Sequence, residues 1–331
     1  MATMKKQANI RGLGYHVPSK VLTNKDLETM VDTSDEWITT RTGIKKRHIC
    51  NENEACSDMA LQAAKKAIAH ANLEIEDITH ILVATFTPDS YIPSAACILQ
   101  DKLGLNGCMA LDVSAACSGF LYSLETARGL ACIHPQANIL VVASEVLSSR
   151  TDYQDRSTCV LFGDGAGAVV LSGSAPGKAS VQDILLRADG GLGDLLTVKG
   201  GGSGFPVRPN ERVKADFFVQ MQGQEVFRHA VRSMAEVTNT LMQKHGLTPD
   251  DIDLFIPHQA NIRIIESLKK KLDFPKEKIF VNLEKYGNTS AASVPIALSE
   301  AYEQDLIPAG SKVLSCSFGG GFTWGAALLQ F

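Results

Sequence analysis

The chain carries the same pattern twice. Residues 71–83 run from a helix end through the polar turn Glu74-Ile75-Glu76-Asp77 into the apolar run Ile81-Leu82-Val83. Residues 245–256 repeat this, from Gly246-Leu247-Thr248-Pro249-Asp250-Asp251 into Leu254-Phe255-Ile256. Each half then closes on glycine-punctuated apolar sequence, at 161–171 and at 318–329, and each is expected to form a hairpin. Self-similarity at a spacing of about 170 residues restricts the fold to a duplicated unit. The joint is expected in the breaker-rich stretch 172–177, which divides the chain into 1–174 and 175–331.

Strand-like and helix-like segments alternate within each half. Residues 81–85 and 139–144 read as buried strands, and 57–71 and 120–132 as amphipathic helices. That alternation predicts an α/β fold with a largely buried sheet. The 331 residues allow a core large enough to need no disulfide or metal staple. A net charge of −4 implies no global attraction to nucleic acid or anionic membrane. No segment reaches the length of a membrane span, and 1–7 lacks an apolar run after its lysines, so a cytoplasmic protein is expected. The 8 cysteines form no close pair with metal-ligand spacing, so no metal site is expected.

One cysteine stands apart. Cys117 follows the apolar run Leu111-Asp112-Val113 and precedes Ser118-Gly119 and a helical pattern. A thiol at a helix start meets unpaired N–H groups and the positive dipole end, which favour thiolate. Cys97 repeats the tetrapeptide Ser-Ala-Ala-Cys, but it reads as the interior of a helix with no helix start to activate it. His258 follows Leu254-Phe255-Ile256-Pro257 and precedes a helix expected over 261–271, a place where α/β proteins gather chemistry. It also reads as a buried or capping histidine. Asn288 stands before an apolar helical run and is either an N-cap or an amide donor. Gly319-Gly320-Gly321 is either a tight turn or a source of backbone oxyanion donors. A Cys, a His and an Asn scattered along such a chain point to thiol nucleophilic catalysis.

Three further features have paired readings. Trp37 and Arg41 are four apart and share a helix face, either on the surface or against a nucleotide. Lys269-Lys270-Lys271, Arg263 and Arg228 form either a solvated face or a basic patch for an acidic partner. The glycine-rich stretch 190–210 reads as a long surface loop, because no P-loop lysine follows it.

These stretches together resemble the β-ketoacyl-acyl-carrier-protein synthase III family, the initiating condensing enzymes of type II fatty acid synthesis. The resemblance rests on Val31-Asp32-Thr33-Ser34-Asp35-Glu36-Trp37, the Cys117 turn, Phe162-Gly163-Asp164-Gly165-Ala166-Gly167, Pro257-His258-Gln259-Ala260-Asn261, Gly287-Asn288-Thr289-Ser290-Ala291 and Gly319-Gly320-Gly321-Phe322. It implies the thiolase fold: two βαβαβαββ halves in five layers, α-β-α-β-α, assembled as a homodimer. It implies a Cys117, His258 and Asn288 triad, with the N–H groups of Cys117 and Gly320 as oxyanion hole.

The resemblance also implies the substrates: acetyl-CoA or another short acyl-CoA, and malonyl-acyl carrier protein, with no cofactor. Thr33, Trp37, Arg41, Arg156, Gln224 and Asn261 would hold CoA, with the adenine between Trp37 and Arg156. Gln224 stands where relatives often have Asn. Ile92, Leu147, Phe162 and Phe318 would line the acyl pocket. Arg228, Gln259, Arg263, Lys270 and Lys271 would receive the acyl carrier protein. Ile92 replaces a Phe of straight-chain relatives that reaches across the dimer, which implies room for longer or branched primers.

The nearest alternative is a related condensing enzyme of secondary metabolism that takes a longer acyl-CoA primer. A degradative thiolase needs a second cysteine in a Cys-x-Gly setting, whereas Cys316 precedes Ser317-Phe318. Elongating synthases use two histidines. A non-catalytic homologue would typically lose the nucleophile, and a cysteine hydrolase would pass the acyl group to water.

Overall fold

The computed structural model describes residues 8–208 and 215–331. The N-terminal segment 1–7 and the last two residues of the glycine-rich stretch, 209 and 210, lie outside the described residues. Nine strands form one sheet. They are β1 (Ala8–His16), β2 (His80–Ala84), β3 (Met109–Val113), β4 (Asn138–Glu145), β5 (Gly165–Ser172), β6 (Ala179–Ala188), β7 (Leu254–Pro257), β8 (Lys312–Gly319) and β9 (Thr323–Gln330). Their spatial order is β7-β8-β9-β6-β1-β5-β4-β2-β3.

The order contains the repeat. In the first half β2 runs parallel to β3 and β4, with Leu82 opposite Leu111 and Val141. Antiparallel β5 and β1 follow, with Val141 opposite Val169 and Val169 opposite Leu13. In the second half β7 runs parallel to β8, with Ile256 opposite Ser315, and antiparallel β9 and β6 follow. The counterpart of β3 is a single parallel bridge, Phe255 to Ile279. A short antiparallel pairing, with Asn9 opposite Ser180, joins the halves through β1 and β6.

Only the second closing segment is a hairpin, β8 to β9, with Gly319 opposite Thr323. In the first, Gly165–Ser172 is a lone strand that pairs with β4 across the connection 146–164. Gly163 and Asp164 are taken by other work. The Asp164 carboxylate accepts from Cys50 N at 2.8 Å, Ser148 N at 2.8 Å and Ser148 Oγ at 2.6 Å. A Cβ on Gly163 would lie 2.3 Å from Tyr286 O, so this turn must be glycine to let the loop carrying Asn288 approach.

Helices cover both faces of each half-sheet. The first-half helices are α1 (Asp35–Thr42), α2 (Cys56–His70), α3 (Ala95–Lys102) and α4 (Gly119–Ile133). The second-half helices are α5 (Gly223–Lys244), α6 (Ile262–Leu272) and α7 (Ser293–Glu303). Met59, Ala63 and Ala67 of α2 and Leu99 of α3 pack on the outer face of the first half-sheet with Val83 and Val142. Val226, Met234 and Leu241 of α5 and Leu268 of α6 pack on the outer face of the second with Phe255 and Leu314. Phe120 and Leu124 of α4 and Ile296 and Leu298 of α7 share one core with strands of both halves. The layers therefore run α-β-α-β-α, which is the thiolase fold. Both buried helices begin near strand ends, and that brings their N-terminal turns together at the centre.

Candidate active site

Cys117 lies in a 3-10 turn, Ala116–Ser118, immediately before α4. Ala116 has φ 44°, a left-handed conformation that costs a residue with a Cβ roughly 1 kcal/mol. Ser290 on the facing loop is left-handed too, at φ 51°. The two turns that carry this strain meet: Ser290 Oγ is 3.4 Å from Cys117 Sγ. The end of β8 closes the third side. A Cβ on Gly319 would stand 2.5 Å from Cys117 N, so only glycine lets this strand end reach the cysteine. Thr323 Oγ1 donates to Ala115 O at 2.8 Å, and Ser118 Oγ donates to Thr323 O at 2.9 Å, tying the halves here.

His258 extends the β7–β8 ladder by one residue, its N donating to Cys316 O at 2.8 Å. It is buried, and desolvation lowers its pKa to about 4, so the ring is neutral at pH 7. Its Nδ1 lies 2.6 Å from Ser293 Oγ, the first residue of α7. Ser293 Oγ also receives Gln259 N at 3.4 Å, and its second acceptor site and its one proton both remain for Nδ1. When Ser293 donates to Nδ1, the ring proton sits on Nε2. Asn288 is held by backbone on both sides: its N donates to Leu161 O at 2.8 Å and its O accepts from Gly163 N at 3.0 Å. Its Oδ1 accepts from Ser290 N at 2.9 Å, which leaves the Nδ2 end of the amide to donate.

Cys117, His258, Asn288 and Gly320 line one cavity of about 1060 Å³. So do Trp37, Arg41, Gln224, Asn261 and Arg263 toward its mouth, and Leu147, Phe162 and Phe318 on its apolar wall. Phe86 and Val219 complete an apolar cluster around Leu147 and Phe162, and the sequence reading named neither. Residues 190–198 are not simply a surface loop. Gly190–Leu195 is a 3-10 turn, Leu196–Thr197 pairs with Gln220–Met221, and Leu196, Thr197 and Val198 face the cavity.

Several expected contacts sit elsewhere. Ile92 is 89% exposed and lies outside the cavity. Gln259 is buried and cannot meet a partner protein: its Nε2 donates to Pro257 O at 2.7 Å and its Oε1 accepts from Asn282 N at 3.0 Å. Arg156 Cζ lies 4.5 Å from the Trp37 ring centre, a direct stack with no room for a base between them. Arg156 Nη1 also donates to Asp32 O at 2.8 Å. Thr33 is half-buried beside this corner, with its Oγ1 unpaired and outside the cavity lining. Arg228, Arg263, Lys270 and Lys271 are all exposed on α5 and α6, with Arg228 paired to Glu225. Cys97 lies in the first turn of α3, not in its interior. Ser94 Oγ and the Asp112 carboxylate already take the N–H groups there.

Two family models match the chain, described as 3-oxoacyl-[acyl-carrier-protein (ACP)] synthase III over residues 111–190 and as its C-terminal part over residues 242–331. A "Beta-ketoacyl-[acyl-carrier-protein] synthase III" of Oleidesulfovibrio alaskensis is 56% identical over 330 residues, 99% of this chain and 100% of that protein. The chain belongs to the β-ketoacyl-[acyl-carrier-protein] synthase III family.

The crystal structure of a family member from Aquifex aeolicus superposes with a TM-score of 0.89 at 48% identity, covering 98% of this chain and 100% of that one. A priming β-ketosynthase from the R1128 polyketide pathway is more distant, at 32% identity and a TM-score of 0.87, covering 98% and 96%. The chain is thus an acyltransferase of the condensing type, and it initiates fatty acid synthesis; the secondary-metabolism alternative is the less supported reading. Among the described residues no helix is long and apolar enough to cross a membrane, and no three His, Cys, Asp or Glu cluster as metal ligands.

Sequence reading also missed three polar residues beside the catalytic groups of this synthase. Ser290 and Ser293 were visible only as small residues of a motif, and Glu145 as the end of an apolar strand. The signal for Glu145 was its carboxylate, directly after the buried run 139–144.

Proposed function

We propose that Cys117, His258 and Asn288 perform a decarboxylative Claisen condensation of a short acyl-CoA with malonyl-acyl carrier protein. The observation that carries the reading is the convergence of all three on one cavity with an apolar wall and a cationic mouth. Cys117 sulfur attacks the acyl-CoA thioester, and the N–H groups of Cys117 and Gly320 receive the oxyanion. CoA departs and the acyl group stays on sulfur. Malonyl-carrier protein then enters. His258 donates from Nε2 and Asn288 from Nδ2 to its thioester carbonyl, which holds the enolate as CO2 leaves. The carbanion attacks acyl-Cys117, giving the β-ketoacyl product and freeing the sulfur. Loss of CO2 drives the step, so the chemistry balances without a metal or redox cofactor.

At the mouth, Trp37, Arg41 and Arg156 hold the nucleotide, with Thr33, Gln224 and Asn261 nearby, and Arg156 must leave Trp37 for an adenine to be sandwiched. Exposed Arg228, Arg263, Lys270 and Lys271 meet the acidic carrier protein by long-range attraction. The units of the duplication are 1–174 and 175–331, and the protein works in the cytoplasm as a homodimer. In support of the dimer, β3 is an open sheet edge on which Met109 and Leu111 are exposed. Ile92 and Tyr91 are exposed as well, so Ile92 would line a partner's acyl pocket rather than its own.

Intact-protein mass tests the reading. Acetyl-CoA adds an acetyl group to the wild type and not to Cys117→Ser, and malonyl-carrier protein then discharges it into a β-ketoacyl product. Release as free acetate would instead make the protein a hydrolase.

A further inference from the structure

Behind Cys117 lies a fully buried carboxylate that the mechanism above does not use. Glu145 ends β4, and its two oxygens are unlike. Oε2 receives Thr87 Oγ1 at 2.6 Å, Thr85 Oγ1 at 3.1 Å and Phe86 N at 3.3 Å. The hydroxyls have their acceptor sides occupied: Thr87 Oγ1 receives Val146 N at 2.8 Å and Thr85 Oγ1 receives Thr87 N at 3.0 Å. An ionised carboxylate only accepts, so both hydroxyls donate to Glu145, and Oε2 receives three donors. Among the described residues, Oε1 has one hydrogen-bond partner, Ser290 Oγ at 3.1 Å. The same Ser290 Oγ is 3.4 Å from Cys117 Sγ.

A hydroxyl has one proton. Ser290 can donate to Glu145 or to the sulfur, and it must accept from the other when that other carries a proton. With Cys117 as a thiol, the chain reads Sγ–H to Oγ, then Oγ–H to Oε1. We propose that Glu145 is the proton acceptor for Cys117, acting through Ser290, in the acylation half-reaction. The S–H bond breaks as an Oγ–H bond forms, and the original Ser290 O–H proton passes to Oε1. The electron pair left on sulfur attacks the acyl-CoA carbonyl. When the tetrahedral adduct collapses, Oε1 returns its proton to Ser290, Ser290 gives its own to the departing CoA sulfur, and CoA leaves as the thiol. Thiol and thioester thus exchange with no net proton change and no outside reactant. Ser290 touches the reacting sulfur and is a catalytic residue, and Glu145 is a positioning residue that acts through it.

The surroundings agree with the need. Cys117 is half-buried on the cavity wall, and desolvation pushes its thiol up to about 11, although the Ser290 hydrogen bond opposes this. The helix start alone therefore leaves a thiol at neutral pH. Burial also pushes Glu145 up to about 7, against its three donors at Oε2. The titratable groups that face it are Cys117 and, from α2, Cys56, whose Sγ lies 3.6 Å from Thr85 Oγ1 and 3.3 Å from Ser144 O. Beyond Cys56 stands Asp89, held by Ser57 Oγ at 2.6 Å.

The inference rests on Cys117 being the nucleophile. The experiment follows the rate of Cys117 acetylation by acetyl-CoA, by quenched intact-protein mass, from pH 5.5 to 9.5. The wild-type rate is expected to rise with a midpoint near 7 and then level. Glu145→Gln, which cannot take a proton, is expected to lose that limb and acetylate at least tenfold more slowly at pH 7.5, climbing toward the thiol's own range. Glu145→Asp should restore part of the rate with a shifted midpoint, which a purely structural role would not produce. If Glu145→Gln does not fold, Ser290→Ala removes the bridge instead and should lose the same limb. Whichever variant folds, a wild-type rate and pH profile would overturn the relay. No acetylation of Cys117 in the wild type would overturn the nucleophile assignment itself, which is a separate result.

Discussion

Ser293 decides which nitrogen of His258 carries its proton, and so whether the ring can donate into the cavity. Its hydroxyl lies 2.6 Å from Nδ1, and by donating there it holds the ring proton on Nε2. A neutral ring with the proton on Nε2 stabilises an enolate oxygen, whereas one with the proton on Nδ1 repels it. Ser293→Ala should therefore slow CO2 release from malonyl-carrier protein by roughly tenfold to a hundredfold, near the lower range for losing an oxyanion donor. Acetylation of Cys117, which does not pass through His258, should keep its rate. Radiolabelled CO2 release alongside intact-protein mass separates the two steps, and an equal loss in both would contradict the assignment. Nothing in the sequence marked Ser293 for this role, because one small residue among Ser290-Ala291-Ala292-Ser293 looks like helix packing.

At the scale of elements, the cavity mouth hangs on one buried cation. Arg47 is fully buried, and its guanidinium donates to Leu22 O at 3.3 Å, Asn24 Oδ1 at 2.9 Å and Val160 O at 2.7 Å. Burial lowers its pKa to about 10, still charged at pH 7. Asn24 in turn holds Ile44 O at 2.8 Å and Asp35 Oδ1 at 2.7 Å, at the two ends of α1, which carries Trp37 and Arg41. Arg47→Leu would strand these acceptors in the interior, a cost on the order of 3 kcal/mol. Urea unfolding should show a lower midpoint at unchanged slope, and CoA should bind more weakly as α1 loosens. Unaltered stability would mean water replaces the guanidinium. Arg47 was invisible as a basic residue in a short strand. The helices over 57–71, 120–132 and 261–271 were legible because their apolar spacing is set by one-sided burial in the layers. The first closing segment misread as a hairpin because β5 pairs with β1 and β4, and its glycines admit the Asn288 loop at Gly163 and helix α7 at Gly167, not a turn between neighbours.

At the scale of the molecule, duplication places the site between the halves, where the layers are deepest, and so gives its ionisable groups opposite errors of charge. His258 falls to about 4 in the fold, from 6.5. The unfolded chain binds the proton more readily, so this term stabilises above pH 6.5 and is lost as pH falls toward 4. Glu145 rises to about 7, from 4.5. Here the folded state binds the proton more readily, so its relative stability is full below pH 4.5 and is lost as pH rises through 7. Each shift corresponds to about 3 kcal/mol, and the two slopes oppose one another between about pH 4.5 and 6.5. Burial lowers His16, His48, His70 and His80 in the same direction as His258, and raises Asp164 as it does Glu145. The clean observable is therefore a difference between proteins. Relative to the wild type, Glu145→Gln should gain stability steadily from pH 4.5 to 7, because Gln never pays for ionisation. His258→Asn should gain in the other direction, as pH falls from 6.5 to 4. Melting temperatures of the three proteins across this range test both signs at once. Parallel curves would mean that neither group is held away from its ordinary pKa, and that the site is wetter than its burial implies.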